Sequence, residues 1–249
     1  MILYGKHTVR AALLNRPNAI KRIVMREGAA KYLQEFIDYA EKIKIKPEYL
    51  HSGEFLRQGK LKEEEKHQGI FIVCDNLDVY SEAELPLLKN GSVILLLDKI
   101  SNPNNFGTII RTAAFFHVDA VIWLKNAAAD LTAEVIRISV GGAEFVKLFR
   151  VTNLARTLDQ LKDMGYWIYG MDEHGSKILA EANFADKTAF IIGSEGGGLR
   201  HHTEKQCDEM VRIPGGQTGL GSLNAAVATA IVLAEIKRNN EKSPCIIPP

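Results

Sequence analysis

The sequence predicts an α/β protein in two parts. A parallel-sheet domain runs from residue 92 to 249, a smaller α/β unit occupies residues 1–75, and residues 76–91 link them. Three observations carry this expectation. Apolar runs recur at 93–98 ("VILLLD"), 120–124 ("AVIWL"), 167–171 ("WIYGM"), 189–193 ("AFIIG") and 210–214 ("MVRIP"). They are continuous rather than alternating, as strands buried on both faces of a parallel sheet are. Helical stretches separate them, which is the alternation of a doubly wound domain.

The elements follow in order. "HTVRAALLN" reads as an early helix and "IKRIVMR" as a strand. In "KYLQEFIDYAEKIK", Leu33, Phe36, Ile37 and Tyr39/Ala40 fall close to helical spacing. The charged run "KLKEEEK" is a solvated loop or face, and "GIFIVCD" is a second apolar strand. The linker carries acidic residues, Pro86 and an Asn-Gly pair, with room for one short helix. Beyond it, helices are expected in "GTIIRTAAFF", "LTAEVIRISVGGA", "NLARTLDQLKDM" and "HHTEKQCDEM". A long final one spans "SLNAAVATAIVLAEIKRN".

Composition narrows the function classes. Hydrophobic residues make up 46% and charged residues 24% of 249, the balance of a water-soluble globular chain. No apolar run is long enough to span a bilayer. "MILYGKHTVRAALLNR" has neither the apolar core nor the cleavage site of a signal peptide. Cys74, Cys207 and Cys245 are odd in number and far apart, so neither a disulfide framework nor a zinc pattern is expected, and the setting is read as reducing and cytoplasmic. The seven histidines show no metal-ligand spacing; His7 and His67 are candidates for RNA contact. Net charge is +1, which does not announce a nucleic-acid binder. Residues 1–80 carry three more cations than anions, and Lys6, His7, Arg10, Lys21, Arg22 and Arg26 concentrate positive charge early.

Ligands of parallel α/β sheets bind outside the carboxyl ends of the strands, so three loops matter. "LDKISNPNNFGTIIRTA" turns at Pro103 and enters a helix at Gly107, with Arg111 one turn further on. That arginine is either a surface ion-pair partner or an anion contact. "IIGSEGGGLR" resembles a phosphate loop but lacks a following Lys-Ser/Thr and carries Glu195, which would repel a phosphate. Its glycines allow close backbone approach, and a plain strand-to-helix turn would use them as well. "RIPGGQTGLGSLNAAVATA" leads through four glycines to Ser222, Leu223 and Asn224, where Ser222 can cap the last helix.

Taken together, Asn105-x-Gly107-x-x-x-Arg111, Gly193-Ser194-Glu195-Gly196-x-Gly198 and Ile213-Pro214…Ser222-Leu223-Asn224 resemble the three motifs of the SpoU/TrmH family. These are RNA ribose 2′-O-methyltransferases of the knotted SPOUT class. "YGKHTVRAAL", "HQG", "RVTNLARTL" and "EKQCDEM" extend the resemblance over nearly the whole chain, toward the bacterial branch that modifies a guanosine of 23S rRNA. The resemblance implies a trefoil-knotted catalytic domain in place of a doubly wound one, a homodimer with shared active sites, and an RNA-binding N-terminal domain. It implies S-adenosylmethionine as cofactor, held by backbone groups of Gly193, Ile213 and Leu223, with no metal. It makes Arg111 the catalytic residue. Asn105, Ser222 and Asn224 position the nucleotide and loops, and Glu195 orients Arg111 or shapes the RNA site.

Two departures stand out. Asn102 precedes Pro103 where the family often has Asp, and the spacer from Pro214 to Ser222 is about one residue longer than usual. The rival readings are a tRNA guanosine methyltransferase, an RNA-binding module without catalysis, and a nucleotide-dependent enzyme. The last two are disfavoured by the presence of all three motifs, and by Glu195 with the missing lysine.

Overall fold

The computed structural model describes residues 1–126, 128–194, 197–215 and 223–242, with the side chains of 240–242 outside the description. The chain forms two compact units. The first comprises residues 1–78 and 131–145, and the second residues 79–130 and 146 onward.

The first unit begins with β1 (Ile2–Tyr4), α1 (Lys6–Asn15), β2 (Ile20–Arg26), α2 (Gln34–Lys42), β3 (Glu48–Leu50), α3 (Ser52–Gly59) and β4 (Ile70–Cys74). The sheet order is β1-β4-β2-β3, with β4 antiparallel to both neighbours and β3 parallel to β2. In β2, Ile23, Val24 and Met25 are all buried, so both faces of this strand are covered. Val24, Phe55 and Phe71 form the core beneath α3, with the two phenyl rings 5.0 Å apart. The helix, strand and loop assignments made for "HTVRAALLN", "IKRIVMR", "GIFIVCD" and "KLKEEEK" match the structure. Pattern reading missed β1, β3 and α3. The two strands are three residues long, and α3 fully buries only Phe55 and Gly59, too few positions to show a period.

The second unit starts with a 3-10 segment, Glu82–Leu88, inside the expected linker. Ser81 and Glu84 close a capping box at its start, and Leu85 and Leu88 are buried in the core, so this stretch is part of the domain. In chain order there follow β5 (Val93–Leu97), α4 (Pro103–Phe115), β6 (Ala120–Leu124), α5 (Ala133–Ile138, of the first unit), β7 (Lys147–Val151), α6 (Leu154–Asp163), β8 (Trp167–Met171), β9 (Lys177–Ile178), β10 (Thr188–Ile192), α7 (His201–Glu204), β11 (Glu209–Arg212) and α8 (Ala225–Lys242). Every residue of β6 and β10 is buried, which is why they read as continuous apolar runs. β7 escaped notice because charged residues interrupt it: Lys147 and Arg150 are exposed while Leu148, Phe149 and Val151 are buried. "HHTEKQCDEM" is helical only to Glu204. Asp208 then accepts the Ile168 N–H at 2.8 Å and pairs with Lys162, turning the chain into β11.

The seven strands are all parallel, in the order β7-β6-β5-β10-β8-β11-β9. A doubly wound sheet grows outward from its first strand. Here β10 is inserted between β5 and β8, and β11 between β8 and β9, so the doubly wound order drawn from periodicity alone is corrected. Connections that interleave in this way are rare. The trefoil threading is what the resemblance implies for the last segment. Apart from Gly215, the lengthened spacer from Pro214 to Ser222 lies outside the described residues.

α5 and the 3-10 turn Gly142–Glu144 belong to the first unit, although the sequence reading places them in the second domain. Gly141, at φ +85°, sits where a Cβ would approach Ala11 Cβ to 2.5 Å. The Glu144 side chain is buried and takes the Arg16 Nε at 2.7 Å. The Arg137 guanidinium lies 5.6 Å from the centroid of the Tyr4 ring.

Two outcomes are expected. Arg16→Ala leaves the buried Glu144 carboxylate uncompensated and lowers stability by about 3 kcal/mol, whereas the double variant with Glu144→Ala recovers part of that loss; denaturant titration of the four proteins of the cycle checks both. The second concerns His67, buried beside Phe55 with its Nδ1 accepting the Gly69 N–H at 3.0 Å. Burial first, then the nearby Arg26, hold its pKa below the ordinary histidine value, against a smaller opposing pull from Glu65. A lowered folded-state pKa means that the unfolded chain takes the proton first. Stability is therefore fully present above about 6.5 and falls as pH drops from there through the folded-state value. Melting curves on either side of that pH should show the loss, and His67→Gln should remove it.

Candidate functional site

Because the sheet is parallel, the carboxyl ends of β5, β10 and β11 open on one edge. β5 ends in Asp98, whose N–H continues the ladder to the Ile192 carbonyl at 2.9 Å. The Asp98 carboxylate is 1% exposed. Arg200 meets it with Nη2 at 2.8 Å from Oδ1 and Nε at 3.1 Å from Oδ2, and the Thr203 hydroxyl donates to Oδ2 at 3.0 Å. Oδ1 has no well-directed hydrogen bond; the guanidinium satisfies it by charge and proximity.

That carboxylate anchors the glycine loop. Leaving β10, Ser194 and Gly198 exchange two backbone hydrogen bonds of 3.1 Å, and Gly198 takes φ +58°. A Cβ on Gly193 would lie 2.3 Å from the carbonyl carbon and oxygen of Gly198. Glycine is required at 193 because the loop returns flat against its own stem, and no phosphate need be invoked. Leu199 then buries and Arg200 reaches Asp98. Glu195 and Gly196 lie outside the described residues.

α4 begins with Asn102 as N-cap: its Oδ1 accepts the Asn104 N–H at 2.9 Å, and Pro103 follows in the first turn. The asparagine that departs from the family pattern thus supplies a neutral cap. Asn105, buried in the same first turn, accepts at Oδ1 from Asn224 Nδ2 at 3.1 Å. Asn224 Oδ1 in turn accepts the N–H groups of Ala226 (2.9 Å) and Val227 (3.3 Å), capping α8. Two sequence-predicted residues 119 positions apart are therefore in contact.

Arg111 is not with them. It is roughly 120° around α4 from Asn105 by helix geometry, exposed, in a stripe with Asn104, Thr108 and Phe115. It makes no hydrogen bond or ion pair with any of the described residues. Gly193 and half-buried Ile213 lie at the ends of their strands, and Leu223 is half exposed just before α8. Ser222 lies outside the described residues. What these strand ends offer, at Gly193 and Ile213, is main-chain donors and acceptors. With the apolar Leu223, this chemistry suits a nucleoside without phosphates rather than a polyphosphate.

Sequence reasoning missed Asp98, Arg200 and Thr203. The available signal was the acidic residue placed directly after the wholly apolar "VILLL", where a buried charge must find a partner. Among the described residues, no group of histidine, cysteine or carboxylates is placed to hold a metal ion, and no helix is long and apolar enough to cross a membrane.

Comparison with known proteins places these features. Residues 92–234 match the model of the SpoU rRNA Methylase family, and residues 2–80 match that for RNA 2′-O ribose methyltransferase substrate binding. The chain is 36% identical to the 23S rRNA (guanosine-2′-O-)-methyltransferase RlmB of Neisseria meningitidis, over 96% of this chain and 97% of that one. It is 34% identical to the protein of the same name from Coxiella burnetii, over 96% of each. Among solved structures, the SpoU methyltransferase AviRb of Streptomyces viridochromogenes, in complex with AdoMet, shares the fold. The TM-score is 0.80 at 20% identity, covering 97% of this chain and 91% of that one. The interleaved parallel sheet, the three loops at one edge and the matched N-terminal unit are thus features of one lineage, and the chain belongs to the SpoU rRNA methylase family.

Proposed function

We propose that this chain methylates the ribose 2′-hydroxyl of a guanosine in 23S rRNA, using S-adenosylmethionine, as a cytoplasmic homodimer. The observation that carries the reading is the meeting of Asn105 with Asn224 at the sheet edge where the Gly193 loop also ends. Full-length relatives at 34–36% identity bear the name of a 23S rRNA guanosine methyltransferase, which favours ribosomal over transfer RNA.

The cofactor supplies an activated methyl group on a sulfonium, so the sulfur is already a good leaving group and neither a metal nor a covalent nucleophile is needed. The protein has to align two reactants and assist departure of the hydroxyl proton. Backbone groups at Gly193, Ile213 and Leu223 hold the cofactor. Asn105 and Asn224 fix the first turns of α4 and α8 relative to each other. Arg111 acts on RNA through its guanidinium, gripping a phosphate and stabilising charge that develops on the 2′-oxygen. Its exposure and its lack of a partner among the described residues suit a group that waits for substrate.

The dimer reading rests on α8. Val227 and Ile231 are 48% and 38% exposed on a helix whose opposite face, with Val232, Leu233 and Ile236, is already buried. Phe115 at the end of α4 is 76% exposed, and Leu223 adds to the same apolar tally. A second copy is the occupant that the family resemblance implies for these uncovered apolar side chains.

Two tests follow. Arg111→Ala should lower kcat for methyl transfer by about two orders of magnitude while S-adenosylmethionine affinity, measured by calorimetry, stays within about twofold; parallel loss of both would refute the role given to Arg111. Ile231→Asp should dissociate the dimer and abolish activity in step. Light scattering across a dilution series with parallel assays decides it, and a fully active monomer would defeat the shared site.

A further inference from the structure

The first unit contains a cleft of about 320 Å³ that the site at the sheet edge does not use. Three chain segments line it: Lys6 at the start of α1, Arg26 to Tyr32 after β2, and His67 to Gly69 before β4. Its walls are set by main chain. Gly28, Gln68 and Gly69 all adopt left-handed φ, at +77°, +54° and +77°. The Lys6 N–H donates to Gln68 Oε1 at 2.8 Å, the Arg26 N–H to the Gly69 carbonyl at 2.9 Å, and the Gly69 N–H to His67 Nδ1 at 3.0 Å. A Cβ at Gly69 would come within 2.8 Å of Ala29 Cβ.

The charges of this unit sort themselves around the cleft. Of the cations concentrated early in the chain, Arg10 is paired with Glu35, Lys21 with Asp75 and Arg22 with Glu48. Besides His7, Lys6 and Arg26 remain, and these two line the cleft. Lys6 Nζ spends one donor on the Tyr32 carbonyl at 3.0 Å. The Arg26 guanidinium makes no hydrogen bond or ion pair among the described residues. Tyr32, also in the lining, is 67% exposed, with the Lys31 ammonium 4.8 Å from its ring centroid. Because His67 Nδ1 is an acceptor, its neutral ring carries the proton on Nε2, a further donor.

We propose that this cleft takes one unpaired nucleotide of the RNA substrate, with the base laid on Tyr32 and the phosphate held by Arg26 and Lys6. The proposal rests on the reading that the chain acts on RNA, and it gives the N-terminal unit a defined contact. Unsatisfied cations beside an exposed aromatic ring are the combination that binds single-stranded nucleic acid, since every base has a π-face and every linkage a charge. A duplex keeps its bases stacked inside and cannot offer one to Tyr32.

The test uses the full-length protein, its Arg26→Ala, Tyr32→Ala and Tyr32→Phe variants, a short labelled single-stranded RNA, the same RNA as a duplex, and 23S rRNA as methyl acceptor. Arg26→Ala and Tyr32→Ala should each weaken single-strand binding about tenfold, with Tyr32→Phe close to wild type. Arg26→Ala should also flatten the salt dependence by about 0.7 in log–log slope. KM for rRNA should rise, with kcat and S-adenosylmethionine affinity unchanged. Alanine variants that bind single strands as wild type does, or a duplex that competes as well as the single strand, would overturn the cleft assignment while leaving methylation intact. Failure of the wild-type protein to methylate rRNA would overturn the functional reading on which the proposal rests.

Discussion

A carboxylate buried at the end of β5 sets the geometry on which the site depends. Burying a carboxylate is costly unless it is paired and hydrogen-bonded, and the partners of Asp98, Arg200 and Thr203, come from beyond the glycine loop. The requirement to satisfy one buried charge therefore dictates where the chain must return after β10. Given that return point, the loop has only a few residues in which to reverse. It does so by pressing Gly198 against Gly193, a contact that tolerates no side chain. A glycine-rich loop of this kind is shaped by its own closure, and whatever binds beside it meets a preformed main-chain surface.

The two asparagines act in a similar way at lower charge. Asn224 uses one amide group for two tasks: its oxygen caps α8 and its nitrogen reaches Asn105 in α4. Helix termini leave free N–H groups that need partners, and here one partner also fixes the spacing of two helices. The aromatic layer under the sheet is more conventional. Tyr169 stacks on Phe190 at 5.0 Å, and the Tyr166 hydroxyl reaches the Leu88 and Gly91 carbonyls at 2.7 and 2.9 Å, so that burial pushes its pKa up to about 12.

Legibility followed burial. β5, β6, β8 and β10 could be read because central strands are apolar along their whole length. β7 could not, since exposed Lys147 and Arg150 interrupt this edge strand, and two- or three-residue strands such as β9 and β3 carry no period at all. Strand order was beyond reach, because periodicity records which residues are buried and not which neighbour buries them. The motif residues Asn105, Gly193 and Asn224 could be picked out together only through resemblance to a family. Their physical reasons (a polar link, a steric limit and a cap) appear once the fold is known. Asp98 and Arg200 share no local pattern, being 102 residues apart. The early cations were legible as a group, but their division into paired and unpaired members depends on Glu35, Asp75 and Glu48 arriving from other elements.

The discontinuous make-up of the first unit has a bearing on how the protein is made. Residues 131–145 complete it with α5, the buried Glu144 side chain and the Gly141 contact, yet they are synthesised some 53 to 67 residues after Asp78. At typical elongation rates that gap is on the order of several seconds. During that interval the N-terminal sheet exists without its last buried ion pair, while β5, α4 and β6 have already left the ribosome. Biogenesis therefore does not proceed as one finished domain after another; the N-terminal unit is closed by a segment emitted midway through its neighbour, and folding of the two is interleaved in time.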